Sequence, residues 1–213
     1  MSNIANTENS FLAASQEFEN AWKNPKYTRF ELPAPDVNKV LSECYEVGKP
    51  VSITGSMVWD MELKKAWNPA NYIPYVVSRD HAWGRSSIDD GSEHFVREIT
   101  AKAWIIEEAV GPVFEEVFIS HKERRMIFLG RDQLTTETGE TIRTNEYQPL
   151  FHVEHGVAGT ENAPLNIWRI VILTEENDPR YHRPCVEMVK GGGLPGFLEI
   201  YINRDLDAQL TRK

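Results

Sequence analysis

A chain of 213 residues is long enough for one domain with a sizeable core, and a net charge of −9 argues against nucleic acid or an anionic membrane surface as its main partner. Cys44 and Cys185 have no metal-ligand spacing, which points to reduced thiols in a cytoplasmic protein. No apolar run approaches the roughly 18 to 20 residues of a membrane span, and MSNIANTENSF lacks the basic start and apolar stretch of an export signal.

Residues 1–9 are polar and read as an unstructured terminus. Phe11, Leu12, Phe18 and Trp22 predict an amphipathic helix over 10–23. Asp36, capping Val37, Val40, Leu41 and Tyr45, predicts another over 36–46. Residues 1–48 thus read as a helical arm and 49–213 as a ligand-binding domain. Val51, Ile53 and Gly55 alternate with polar partners as a strand does, whereas Trp59, Leu63 and Trp67 recur at the i, i+4 spacing of one helix face. Asn68-Pro69 breaks that helix, and Pro69 suits the first turn of another.

From residue 77 the period changes to two. Val77 to Arg85 and His94 to Trp104 predict a hairpin around Asp89-Asp90-Gly91, with the second strand long or bulged over Ile105 to Val110. Further strands are expected over 113–120, 126–132, 140–151 and 166–174, forming an antiparallel meander. Lys122-Glu123-Arg124-Arg125 reads as a solvated turn, with an anion contact as the alternative. After Gly191-Gly192-Gly193, the spacing of Leu198, Ile202, Leu206 and Leu210 predicts a long final helix.

Val58-Trp59, Leu63, Trp67-Asn68-Pro69 and Tyr72-Ile73-Pro74 resemble the strand-to-helix segment of the START-like or birch-pollen-allergen superfamily of helix-grip proteins. With Phe95-Val96-Arg97-Glu98, Glu115-Glu116 and Ile142-x-x-Asn145 after Gly139, the pattern looks most like the branch named after the L protein of the fungal acetylaranotin cluster. Residues 50–175 carry the resemblance. It implies an α+β fold, a curved antiparallel sheet of about seven strands around a long C-terminal helix with two short helices, and a cavity for hydrophobic small molecules. Some members of the superfamily are cyclases or other enzymes and others are carriers. Three stretches depart from the pattern: the N-terminal arm, His152–Asn162, and an insertion at His182–Gly193.

Trp59, Trp67, Trp83, Trp104 and Trp168, with Tyr72 and Tyr201, are candidates to line such a cavity, ordinary core packing being the alternative. On alternating strands Arg97 shares a face with Phe95 and Ile99, and Asn145 and Tyr147 share a face with Arg143. An inward Arg97 would anchor a carboxylate, phenolate or enolate oxygen, with Glu115 or Glu116 as its partner; an outward one would belong to surface salt bridges. His81, His152 and His155 are the candidate general acids or bases. The H-x-x-H spacing on a strand puts the two rings on opposite faces, so no metal site is expected. No nucleophile elbow, phosphate loop or dinucleotide fingerprint is present, and no cofactor is expected. The expected activity is a cofactor-independent cyclisation, dehydration or isomerisation of an aromatic or polyketide-like compound in secondary metabolism. A carrier of the same ligand is the alternative, and a homodimer is compatible with either.

Overall fold

Ser10 accepts a hydrogen bond from the Ala13 amide at 3.1 Å, the side-chain cap that starts helix α1 (Phe11–Lys23). It opens a computed structural model that describes residues 10–88, 91–105, 109–144 and 149–213. The reading of residues 1–9, the Asp89-Asp90 half of the hairpin turn, the central part of the expected bulge, and the candidates Asn145 and Tyr147 lie outside the described residues.

Strand β1 (Thr28–Glu31) follows, then α2 (Val37–Cys44), capped by Asp36 through the Lys39 amide at 3.0 Å, and β2 (Tyr45–Val47). Residues 51–54, expected as a strand, run without regular structure into α3 (Gly55–Trp67). The amide and carbonyl of Ile53 are bonded instead by the Asn38 side chain, at 2.8 and 2.7 Å. The Asn68-Pro69 break separates α3 from the single turn α4 (Pro69–Tyr72). The Ala70 amide donates to the Asp80 carboxylate at 2.8 Å, which pins this turn to the sheet.

The strands are β3 (Val77–Ser87), β4 (Glu93–Lys102), β5 (Val110–Ser120), β6 (Arg125–Arg131), the short pair β7 (Gln133–Thr135) and β8 (Thr141–Arg143), β9 (Phe151–Gly159) and β10 (Pro164–Ile172). A single antiparallel sheet of seven runs β1-β10-β9-β6-β5-β4-β3. The fold class is therefore α+β. The segment read as an arm supplies its edge strand β1, whose residues pair with Arg169 to Ile172. One strand was expected over 140–151; instead β8 ends at Arg143 and closes a small hairpin with β7, and the sheet resumes at Phe151. His152–Asn162, read from the sequence as a departure from the resemblance, is mostly the regular central strand β9.

Both faces of the sheet are covered. On one, Phe95, Ile99, Val117, Phe128, Val153 and Ile170 pack toward α3. On the other, α1 lays Phe11, Ala14, Phe18 and Ala21 over Phe118, Ile127, Leu129 and Val171. This second cover makes β5 and β6 almost continuously buried, as strands covered on two sides are.

The end of the chain corrects an expectation. A 3-10 turn (Pro179–Tyr181) leads into α5 (His182–Val189), which lies within the insertion, and the final helix α6 (Gly196–Arg204) has nine residues rather than a long span. Asp207 and Gln209 adopt left-handed backbone conformations, φ 51° and 58°, which turn the chain out of the helix. Leu210 then starts β11 (Leu210–Arg212), paired with β2, so the i, i+4 spacing of Leu206 and Leu210 reflects packing outside a helix. On the cavity side of the sheet the helix that packs most on the strands is α3, with α6 packed on α3 and α4.

Candidate functional site

Between the inner face of the sheet, α3, α4 and α6 lies a cavity of about 300 Å³. Its wall is apolar for most of its extent, with Ile99, Val113, Phe128, Val153, Ile170 and Phe197. Buried ionisable side chains interrupt it, Lys65, Arg97, Glu115 and His155, and Tyr75 and Lys102 also line it.

Helix α3 supplies the first polar group because it is sandwiched. Trp59 and Ala66 face the sheet core, Val58 and Met61 face the α6 side, and Glu62 and Lys65 lie one turn apart between them. Burial without partners would cost each charge several kcal/mol, and both are fully partnered. Lys65 Nζ lies 2.7 Å from Glu62 Oε2 and 2.8 Å from His155 Nδ1, and that Nδ1 is 2.8 Å from the same Glu62 oxygen. Asn166 Nδ2 donates to the other carboxylate oxygen at 2.8 Å, and the ammonium sits 3.6 Å from the centre of the Phe197 ring.

Burial alone would raise the Glu62 carboxyl, but the Lys65 ammonium and His155 outweigh it and hold it at about 2. Burial pulls Lys65 down to about 8; Glu62 opposes this and the charge of Arg97 adds to it. Burial, then the charge of Lys65, brings His155 down to about 4. At neutral pH the triangle therefore holds a carboxylate, a neutral imidazole, and an amine within reach of deprotonation.

A second pair faces it. Arg97 and Glu115 are register partners on β4 and β5, and Arg97 Nε donates to Glu115 Oε2 at 2.6 Å. Arg97 Nη1 donates to the Ala66 carbonyl at 2.7 Å, and the guanidinium stands 4.5 Å from the Phe128 ring centre. Alternation with Phe95 and Ile99 had left both orientations open; the side chain points inward and is buried.

The expected site residues divide into three groups. Arg97, Glu115, His155, Trp104 and Trp168 line the cavity. Trp168 stands 5.2 Å from the His155 ring and 6.0 Å from Phe197, and its buried indole N–H meets no acceptor among the described residues. Trp59, Trp67, Tyr72 and Tyr201 belong to the surrounding cores instead. Trp67 stacks on Phe95 at 4.2 Å, while the hydroxyls of Tyr72 and Tyr201 donate to Asp205 and Asp60 and so bind the helices to one another.

His81, Trp83 and His152 lie away from the cavity. His81 is exposed and stacks on Trp83, which packs with Phe114 and Leu134 on the outer side. His152 is three residues from His155 on β9 and so faces the opposite way, under α1, where Nδ1 accepts from the Gly130 amide at 3.1 Å. Glu62, Lys65 and Asn166 were not anticipated. The signal was a Glu-x-x-Lys spacing beside the Trp59–Leu63–Trp67 seam, and it was unreadable without knowing that α6 covers the far side of α3.

His152 makes the acid limb of stability testable. Burial lowers its pKa from 6.5 to about 4, so the unfolded chain binds a proton between these values that the folded chain refuses. Stability present above pH 6.5 is lost as pH falls through 4, by on the order of 3 kcal/mol from this group. His155 acts with the same sign. Urea unfolding at pH 7, 5 and 4 should show the loss, and His152→Asn, which keeps an acceptor for the Gly130 amide, should flatten it. An unchanged pH slope in that variant would contradict the assignment.

No family model matches the sequence, and neither does any curated protein. Solved structures similar to it include an aromatase/cyclase from Streptomyces sp. R1128, at 10% identity over 85% of this chain and 87% of that one, TM-score 0.44. A truncated norcoclaurine synthase from Thalictrum flavum is similar at 9% identity over 88% and 99%, TM-score 0.44. A protein of Thermus thermophilus is similar at 10% identity over 85% and 97%, TM-score 0.45.

Proposed function

We propose that the protein takes a hydrophobic, aromatic or polyketide-like small molecule into this cavity and catalyses a cofactor-independent cyclisation, dehydration or isomerisation by moving protons. The observation that carries this reading is a buried, hydrogen-bonded Glu62–Lys65–His155 triangle whose Lys65 and His155 line an apolar cavity. An apolar chamber with a few convergent polar groups and shifted acid–base groups has the makeup of a site for proton transfer on an enclosed substrate.

In this reading Trp104 and Trp168 stack against the ligand while Arg97 and the Trp168 indole N–H hold its oxygenated end. The guanidinium has five N–H donors, so donors remain for a ligand oxygen after those given to Glu115 and Ala66. With Nδ1 committed to the triangle, Nε2 of His155 removes a proton beside that oxygen, and the adjacent arginine stabilises the resulting enolate. The branch resemblance and the cytoplasmic location belong to the same proposal.

One observation favours the carrier alternative: Arg97, Glu115, Lys65 and Glu62 all have partners inside the protein. Proton exchange in D2O separates the two readings. NMR of aromatic β-diketones should show wild-type protein accelerating deuterium uptake at the carbon between the carbonyls. His155→Gln should reduce that rate roughly a hundredfold with binding largely retained. Binding with no acceleration by the wild type would leave only the carrier.

A further inference from the structure

We propose that Lys65 is a nucleophilic amine that captures the carbonyl group of an apolar ketone or aldehyde as an imine inside the cavity. The proposal rests on the reading of this cavity as a small-molecule site and adds both a substrate class and a covalent step. Four observations support it.

Lys65 lies in the cavity wall on a rigid helix, with a side chain only 4% exposed. Its nitrogen borders Phe197 at 3.6 Å, so a carbonyl compound reaching it would do so among apolar groups with little competing water. A proton acceptor, Glu62 Oε2, is in place at 2.7 Å. A second cation, Arg97, shares the wall, and together with burial it holds the ammonium at about 8 against the opposing pull of Glu62. A lysine desolvated in an apolar pocket near another positive charge is a recognised way to activate an amine nucleophile.

The step balances without a redox partner. The neutral amine adds its lone pair to the carbonyl carbon, and the C=O π pair moves to oxygen. One nitrogen proton passes by way of Glu62 Oε2 to that oxygen, which gives a neutral amino alcohol. The second nitrogen proton follows the same route to the hydroxyl, which leaves as water while the nitrogen lone pair closes the C=N bond. Amine plus carbonyl gives imine plus one water. Once protonated, the imine acidifies the adjacent C–H, the bond that the proposed proton transfer breaks.

The test is reductive trapping on the full chain. The protein is incubated with 2-naphthaldehyde and sodium cyanoborohydride, and adducts are located by intact mass and peptide mapping. Naphthalene serves as an unreactive competitor, and its own binding is followed by fluorescence. We expect one adduct per chain at Lys65, formed at least about tenfold faster than at exposed lysines such as Lys49 or Lys190, faster at pH 8.5 than at pH 6.5, and suppressed by naphthalene. Lys65→Arg should abolish the fast adduct while naphthalene still binds. Unmodified Lys65 with naphthalene bound would overturn the imine and leave the cavity reading standing. Unmodified Lys65 with no naphthalene binding would overturn both.

Discussion

Glu62→Leu should destabilise the protein by about 3 to 5 kcal/mol at pH 7, because it leaves the Lys65 ammonium buried without its counter-charge. Glu62 is fully buried and satisfies Lys65, His155 and Asn166 together. The deficit should depend on pH with a definite sign. Losing the carboxylate lowers the folded-state pKa of Lys65 further below its unfolded value, so the folded chain sheds a proton that the unfolded chain keeps up to about 10.4. The deficit should therefore shrink as pH rises from 7 to about 8, where Lys65 of the wild type loses its own proton, and stay level above that. The double variant Glu62→Leu with Lys65→Met should recover much of the loss, since replacing a buried pair by apolar groups of similar volume is often neutral. Urea unfolding at three pH values measures all of this, and a pH-independent deficit would contradict the ion pair as its cause.

Arg97→Met should have a comparable effect on stability and a selective one on binding. It strands the buried Glu115 carboxylate and removes the donor to the Ala66 carbonyl, for a loss of about 3 to 5 kcal/mol that Glu115→Leu in the same chain should partly reverse. If Arg97 anchors an oxygenated ligand, the double variant should bind 1-naphthoate at least about tenfold more weakly, the scale of a lost charge-assisted hydrogen bond. Affinity for 2-methylnaphthalene should be unchanged. Titration calorimetry on the stable double variant reads both, and equal losses for the two ligands would reject the anchor.

Much of this arrangement is legible in the chain. The period-two runs place β3 to β6 and β10 within a few residues, and Asn68-Pro69 marks the break between α3 and α4. Alternation puts Arg97 on the face of Phe95 and Ile99, and it puts His152 and His155 on opposite faces. It does not say which of the two faces the cavity. That choice depends on α1, whose Phe11 and Phe18 cover the His152 side. Strand β1 escapes notice because four residues, Thr28–Glu31, between Pro25 and Pro33, carry too little periodicity and gain their order from β10. Glu62 and Lys65 escape it because a charged pair beside a tryptophan seam reads as a solvated flank until α6 encloses it. Tyr72 and Tyr201 look like cavity aromatics from their apolar neighbours, yet each hydroxyl had a nearer carboxylate, Asp205 and Asp60.

The central claim is that the space between sheet and helices receives an apolar molecule. Its most direct test is saturable binding of an environment-sensitive apolar dye to the wild type and to Ala101→Trp, which places an indole in the cavity wall. The account predicts micromolar-range binding by the wild type and a loss of at least about tenfold in the filled variant, with the fold intact by circular dichroism. Absence of saturable binding, or equal affinity in both proteins, would contradict it.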